Sequence, residues 1–86
     1  MKKRELIEQL ADKEHASWSH WMAYLFSICQ KESDGSVIIP ANLVERWQRQ
    51  ATTPYVQLTE REKQSDRNQV AQILPIIDAY ANEEEK

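Results

Sequence analysis

The chain has 86 residues, enough for one domain with one modest core that buries about 60–65% of the unfolded surface. Its net charge of −3 and pI near 5.3 argue against a general nucleic-acid binder, which needs a basic surface to displace counterions, while leaving room for a local basic pocket. One glycine and three prolines offer too little turn chemistry for a β-rich fold, and a lone cysteine excludes an internal disulfide and a cysteine-rich zinc site.

Met1-Lys2-Lys3-Arg4 leads into Glu5, Glu8, Asp12 and Glu14 rather than into an apolar run. It does not read as a signal peptide, and no apolar stretch approaches the length of a membrane span. The expected location is the cytoplasm of a bacterial cell, or of an infected one.

The first predicted helix runs from about Lys3 to Gln30. Leu6, Ile7, Leu10, Ala11, Trp18, Met22, Leu25, Phe26 and Cys29 recur at spacings of three, four and seven, which defines one helical face. His15 falls on the same stripe, and Trp21 and Ile28 widen it toward a second neighbour. Cys29, among Leu25, Phe26 and Ile28, reads as a buried thiol. Lys2, Lys3 and Arg4 oppose the helix dipole, so the first turn is expected to fray.

Glu32-Ser33-Asp34-Gly35-Ser36 breaks the helix around the one glycine. Val37-Ile38-Ile39 is either an extended segment crossing the core or a brief strand without a clear partner. Pro40 suits the first turn of a second helix over about Ala41 to Gln50, with Leu43, Val44 and Trp47 facing inward. Thr52-Thr53-Pro54 ends it, since a proline pushes the residue before it toward extended backbone. Tyr55 and Leu58 can pin the following loop to the core.

Thr59-Glu60-Arg61-Glu62 matches a capping box and starts a third helix. Its apolar set, Val70, Ile73, Leu74, Ile77, Tyr80 and Ala81, keeps its phase through Pro75, which predicts a kinked helix rather than a stop. Residues 83–86 read as a frayed acidic tail after a domain over residues 1–82. The expected fold class is all-α: three main helices, an irregular extended segment between the first two, and a kinked third.

His15 and His20 are five apart and do not share a helix face, and no His-Glu-x-x-His pattern occurs, so no metal is implied. His15 reads as packed or hydrogen-bonded, and Trp18 as core. Trp21, off the centre of the stripe, suits an interface or a stacking surface, with His20 and Tyr24 as an exposed pair beside it. Trp47 reads as half-buried. No nucleophile–base–acid signature is present, and one glycine cannot make a phosphate loop. The chain is expected not to be an enzyme, and no cofactor is called for.

The remaining polar cluster is cationic: Arg46, Arg49, Tyr55, Lys63 and Arg67. Guanidinium groups bond phosphates in a bidentate way, and Lys63 and Arg67, four apart, share a face. The cluster is either a set of surface salt bridges or an anion pocket. Asp66 is expected to contact the Pro54-Tyr55 turn.

His15-x-x-Trp18, followed by Pro54-Tyr55-x-x-Leu58 and Lys63-x-x-Asp66-Arg67, resembles the ryanodine receptor repeat domain, which also occurs in small bacterial and phage proteins. The strings "WSHWMAYLF" and "RWQRQATTPY" are similar to small phage and prophage proteins. The family's Gly-Trp-x-Tyr-Gly element is replaced here by "SDGSVIIPANLVERWQRQ". The resemblance implies a mostly helical, non-catalytic binding module, with nucleotide-derived signals as candidate ligands.

The expected function is therefore a small binding protein of phage or prophage type. Its ligand would be a nucleotide-like or other anionic molecule held by Arg46, Tyr55, Lys63 and Arg67. His20 and Trp21 would lie at the edge of that site or at an oligomer interface. A host-protein adaptor without a small ligand is the alternative, and a DNA-binding regulator a weaker one. An exposed Trp21 beside an apolar patch favours the adaptor, whereas convergence of the cations in a concavity favours the ligand.

Overall fold

The computed structural model describes residues 1–84 and is mostly helical. Helix α1 spans Lys3–Ile28, strand β1 Gln30–Lys31, strand β2 Val37–Ile38, helix α2 Ala41–Ala51, a 3₁₀ turn Tyr55–Gln57, and helix α3 Glu60–Glu84.

α1 ends two residues before its expected limit. Gln30 and Lys31 leave it to pair antiparallel with Ile38 and Val37. The segment 37–39 thus has a partner: it is half of a short hairpin, not an irregular stretch crossing the core, and its side chains are exposed. The turn is built locally. Asp34 Oδ1 accepts from the Ser36 N–H at 2.9 Å and from the Ser36 hydroxyl at 2.6 Å. These two bonds hold the Asp34 carboxyl below its usual pKa. Gly35 sits at φ +92°, in the region that side chains with a Cβ rarely adopt.

Pro40 stands at the cap of α2, its carbonyl accepting from the N–H groups of Leu43 and Val44. The far end closes with hydroxyls: Thr52 donates to the Gln48 carbonyl at 2.9 Å and Thr53 to that of Arg49. α3 begins with the expected reciprocal cap. Glu62 N–H donates to Thr59 Oγ1 at 3.2 Å, and Glu62 Oε1 accepts from Thr59 N–H at 3.0 Å. α3 continues through Pro75 and on through Asn82 and Glu83 to Glu84. The expected acidic tail is thus helical over its first two residues, while 85–86 lie outside the described residues.

α1 and α3 pack antiparallel. Lys13 lies with Ile76 along one groove, and Ser17 with Gln69 and Ile73 along another, while the Met1 amino group reaches Glu83. The described residues together form a slab of 56 × 34 × 16 Å with a radius of gyration of 17.4 Å. A compact chain of this length has a radius near 12 Å. Among the described helices, α1 and α3 are the one pair in extensive contact, side by side, so they make a single layer. Accordingly Cys29, 7% exposed, is the one buried residue among those described, at the end of α1. Met22, Leu25 and Ile28 of α1, Leu43, Val44 and Trp47 of α2, and Leu58 are half-buried. None of the described helices is long and apolar enough to cross a membrane.

Candidate functional site

Two surfaces compete for a functional role. The first is the cationic end of α3. The Lys63 ammonium lies 5.8 Å from the centre of the Tyr55 ring, a cation–π approach. Lys63 also lies 3.9 Å from Glu60, and Arg67 donates to Glu60 at 3.2 Å. Glu60, with Tyr55 beside it, keeps the Arg67 guanidinium above its already high pKa. Glu60 was not singled out from the sequence. Its spacing of three to Lys63 and seven to Arg67 was the available signal, since both offsets return to one helix face.

Tyr55, Lys63 and Arg67 therefore come together around one carboxylate. Arg46 does not join them. It projects from α2 and, with Arg49, acts through space on Glu62. The Glu62 pKa lies below the ordinary carboxylate value, first because Thr59 N–H donates to it, with the two arginines adding to the effect. Asp66 makes no hydrogen bond to the Pro54-Tyr55 turn, and it is Lys63 and Arg67 that stand near the Tyr55 ring.

The second surface is apolar. Trp18 is 58% exposed rather than core, and His15, exposed as well, stacks on it with ring centroids 5.9 Å apart. Trp21, 44% exposed, meets His20 at 5.3 Å and Tyr24 at 6.3 Å, both edge-on. All three aromatic pairs lie within α1. Ile7 on α1 and Val70, Leu74 and Ile77 on α3 are exposed too.

Helical geometry puts Ile7, Trp18, Val70, Leu74 and Ile77 on one side of the slab. On α1, half-buried Leu6, Leu10, Lys13 and Ser17 mark the edge turned to α3. At about 100° per residue, the stripe Ile7, Ala11 and Trp18 is rotated by roughly 110° from that edge. On α3 the half-buried edge is Gln69, Ile73, Ile76 and Tyr80, and Val70, Leu74, Ile77 and Ala81 are rotated from it by roughly 100° in the same sense. In an antiparallel pair, equal rotations of the same sense bring both stripes to the same face. Between the helices runs an open groove of about 790 Å³, lined by Leu10, Ala11, Glu14 and His20 from α1 and by Val70 and Ile73 from α3. Of the sequence-predicted residues, His20 lines this groove, and Arg46, Tyr55, Lys63 and Arg67 do not.

Among the described residues, no three His, Cys, Asp or Glu side chains converge on a point that could hold a metal ion. No protein-family model, curated protein or solved structure matches the chain.

Proposed function

We propose that this chain is a non-catalytic helical interaction module that docks a protein partner through the shared apolar face of α1 and α3. The observation that carries this reading is the exposure of Ile7, Trp18, Val70, Leu74 and Ile77 on one side of the α1/α3 layer. Contiguous apolar surface of this extent marks an interaction site, because leaving it in water costs free energy that a partner recovers. The reading agrees with the mostly helical binding module that the ryanodine receptor repeat resemblance implies.

Anion binding at Tyr55, Lys63 and Arg67 is the second reading. It is favoured by two cations gathered around one carboxylate, which leaves a local positive excess. It is weakened by Glu60, which already occupies the guanidinium, and by the absence of these residues from the groove.

A photo-crosslinking residue placed at Trp18, in cells producing the protein, tests the first reading against a control at Arg61, off the apolar face. A protein adduct from position 18 and none from 61 supports it. No adduct from 18 contradicts it.

A further inference from the structure

We propose that the partner on the α1/α3 face is a second copy of this chain, and that the working protein is a two-fold symmetric dimer in which two such slabs close face to face as a four-helix, two-layer bundle. The inference rests on the reading of that face as a docking surface and names its occupant.

The chain exposes 7087 Å². A compact folded monomer of 10.1 kDa exposes roughly 5,300 Å². The excess over the whole chain, hairpin and α2 included, is roughly 1,800 Å² per copy, or about 3,600 Å² for two copies, enough to supply the 2,000–5,000 Å² of an obligate homodimer. A small peptide or ligand would leave most of that excess in water.

A stable domain needs two packed layers around one core, because each helix has an apolar stripe that must be covered. This chain supplies one such layer, α1 beside α3. A second copy supplies an equivalent layer with the same stripe lengths and the same spacing, so the missing half of the core needs no foreign fold.

Val70, Leu74, Ile77 and Ala81 follow one another at four, three and four residues, the spacing of a seam that packs knobs into holes against another helix. Ile7, Ala11, Glu14 and Trp18 repeat the four, three, four spacing on α1. Glu14 is the one charged residue in either seam. A nearly uncharged face does not select a partner of opposite charge. Under a two-fold axis the same apolar patch meets itself, which is how isologous dimers form.

Sedimentation equilibrium of the purified chain tests the inference. The expected mass is twice 10.1 kDa, falling to the mass of one copy in Leu74→Glu. The thermal midpoint of the unaltered chain should also rise with protein concentration, as it does when association stabilises the fold. That measurement decides the matter if Leu74→Glu fails to fold. A folded wild-type chain with the mass of one copy and a concentration-independent midpoint overturns the inference. Crosslinks from position 18 distinguish its failure from that of the docking reading. Adducts to a second copy support both. Adducts only to other proteins overturn the dimer and leave the docking face standing. No adducts overturn both.

Discussion

Thr59 and Glu62 cap each other at the start of α3: the Glu62 N–H donates to the Thr59 hydroxyl at 3.2 Å, and the Glu62 carboxylate accepts from the Thr59 N–H at 3.0 Å. The pair satisfies donors that the first turn of a helix otherwise leaves unbonded. Thr59→Ala should destabilise the chain by about 1 kcal/mol, which lowers the thermal midpoint by about 4–8 °C in a domain of this size. Thr59→Ser should restore most of the loss.

The same cap sets an acid limit. Glu62 and Asp34 both have pKa values held below their ordinary ones, by the Thr59 and Ser36 bonds respectively. A carboxylate with a lowered folded pKa adds stability above its unfolded value and loses it as pH falls through the folded one. The midpoint should therefore be flat above about pH 5 and fall below the ordinary glutamate value of 4.5. Glu62→Gln keeps the capping geometry without the titration, and it should flatten part of that fall. An unchanged slope in the variant would mean that other carboxylates dominate.

Much of this was legible beforehand because the signals are local. The capping box, the Pro40 start of α2, the Gly35 turn and the passage of α3 through Pro75 all follow from residues within a few positions of one another. The pairing of the hairpin is not legible because Gln30 and Lys31 carry no strand signal, and Gln30 reads as the last turn of α1. Trp18 was misplaced for a different reason. Periodicity says that a stripe is to be covered, and it cannot say by which chain. Trp18 reads as core from the sequence, and it lies instead, with Val70, Leu74 and Ile77 of the α3 apolar set, on the open face. The cationic cluster is half legible: the spacing of Lys63 and Arg67 shows a shared face, while Glu60, their counter-ion, enters the sequence reading only inside the capping box.

Gly35 tests the hairpin. A methyl group there meets no atom within 4 Å, so Gly35→Ala carries a backbone cost alone. At φ +92° that cost should be about 1–2 kcal/mol, read as a lower midpoint. Gly35→Asn should cost less, because a short polar side chain tolerates positive φ better.

Pro75 lacks the N–H that would bond to the Ala71 carbonyl. Pro75→Ala should raise the midpoint by an amount equivalent to about 1–3 kcal/mol and increase the helical circular dichroism signal. A fall in the midpoint would show that Pro75 itself is needed for α3 to meet its neighbours.

Arg67→Ala separates the two readings of the site. The Arg67–Glu60 pair is exposed, and exposed pairs add little to stability. The midpoint should barely move. A panel of nucleotides and cyclic nucleotides should not shift the unaltered chain. A shift with any of them, abolished in Arg67→Ala, would revive the anion site, since a ligand at one hundred times its dissociation constant stabilises by about 2.7 kcal/mol.

The central claim is that the α1/α3 face is covered in the working protein. Collisional quenching of Trp18 fluorescence, in a chain carrying Trp21→Phe and Trp47→Phe, tests it most directly. Trp18 is 58% exposed in a single copy. The account predicts that it is shielded from quencher at high protein concentration and becomes accessible on dilution or in Leu74→Glu. A Trp18 that is equally accessible at every concentration, with and without Leu74→Glu, would contradict it.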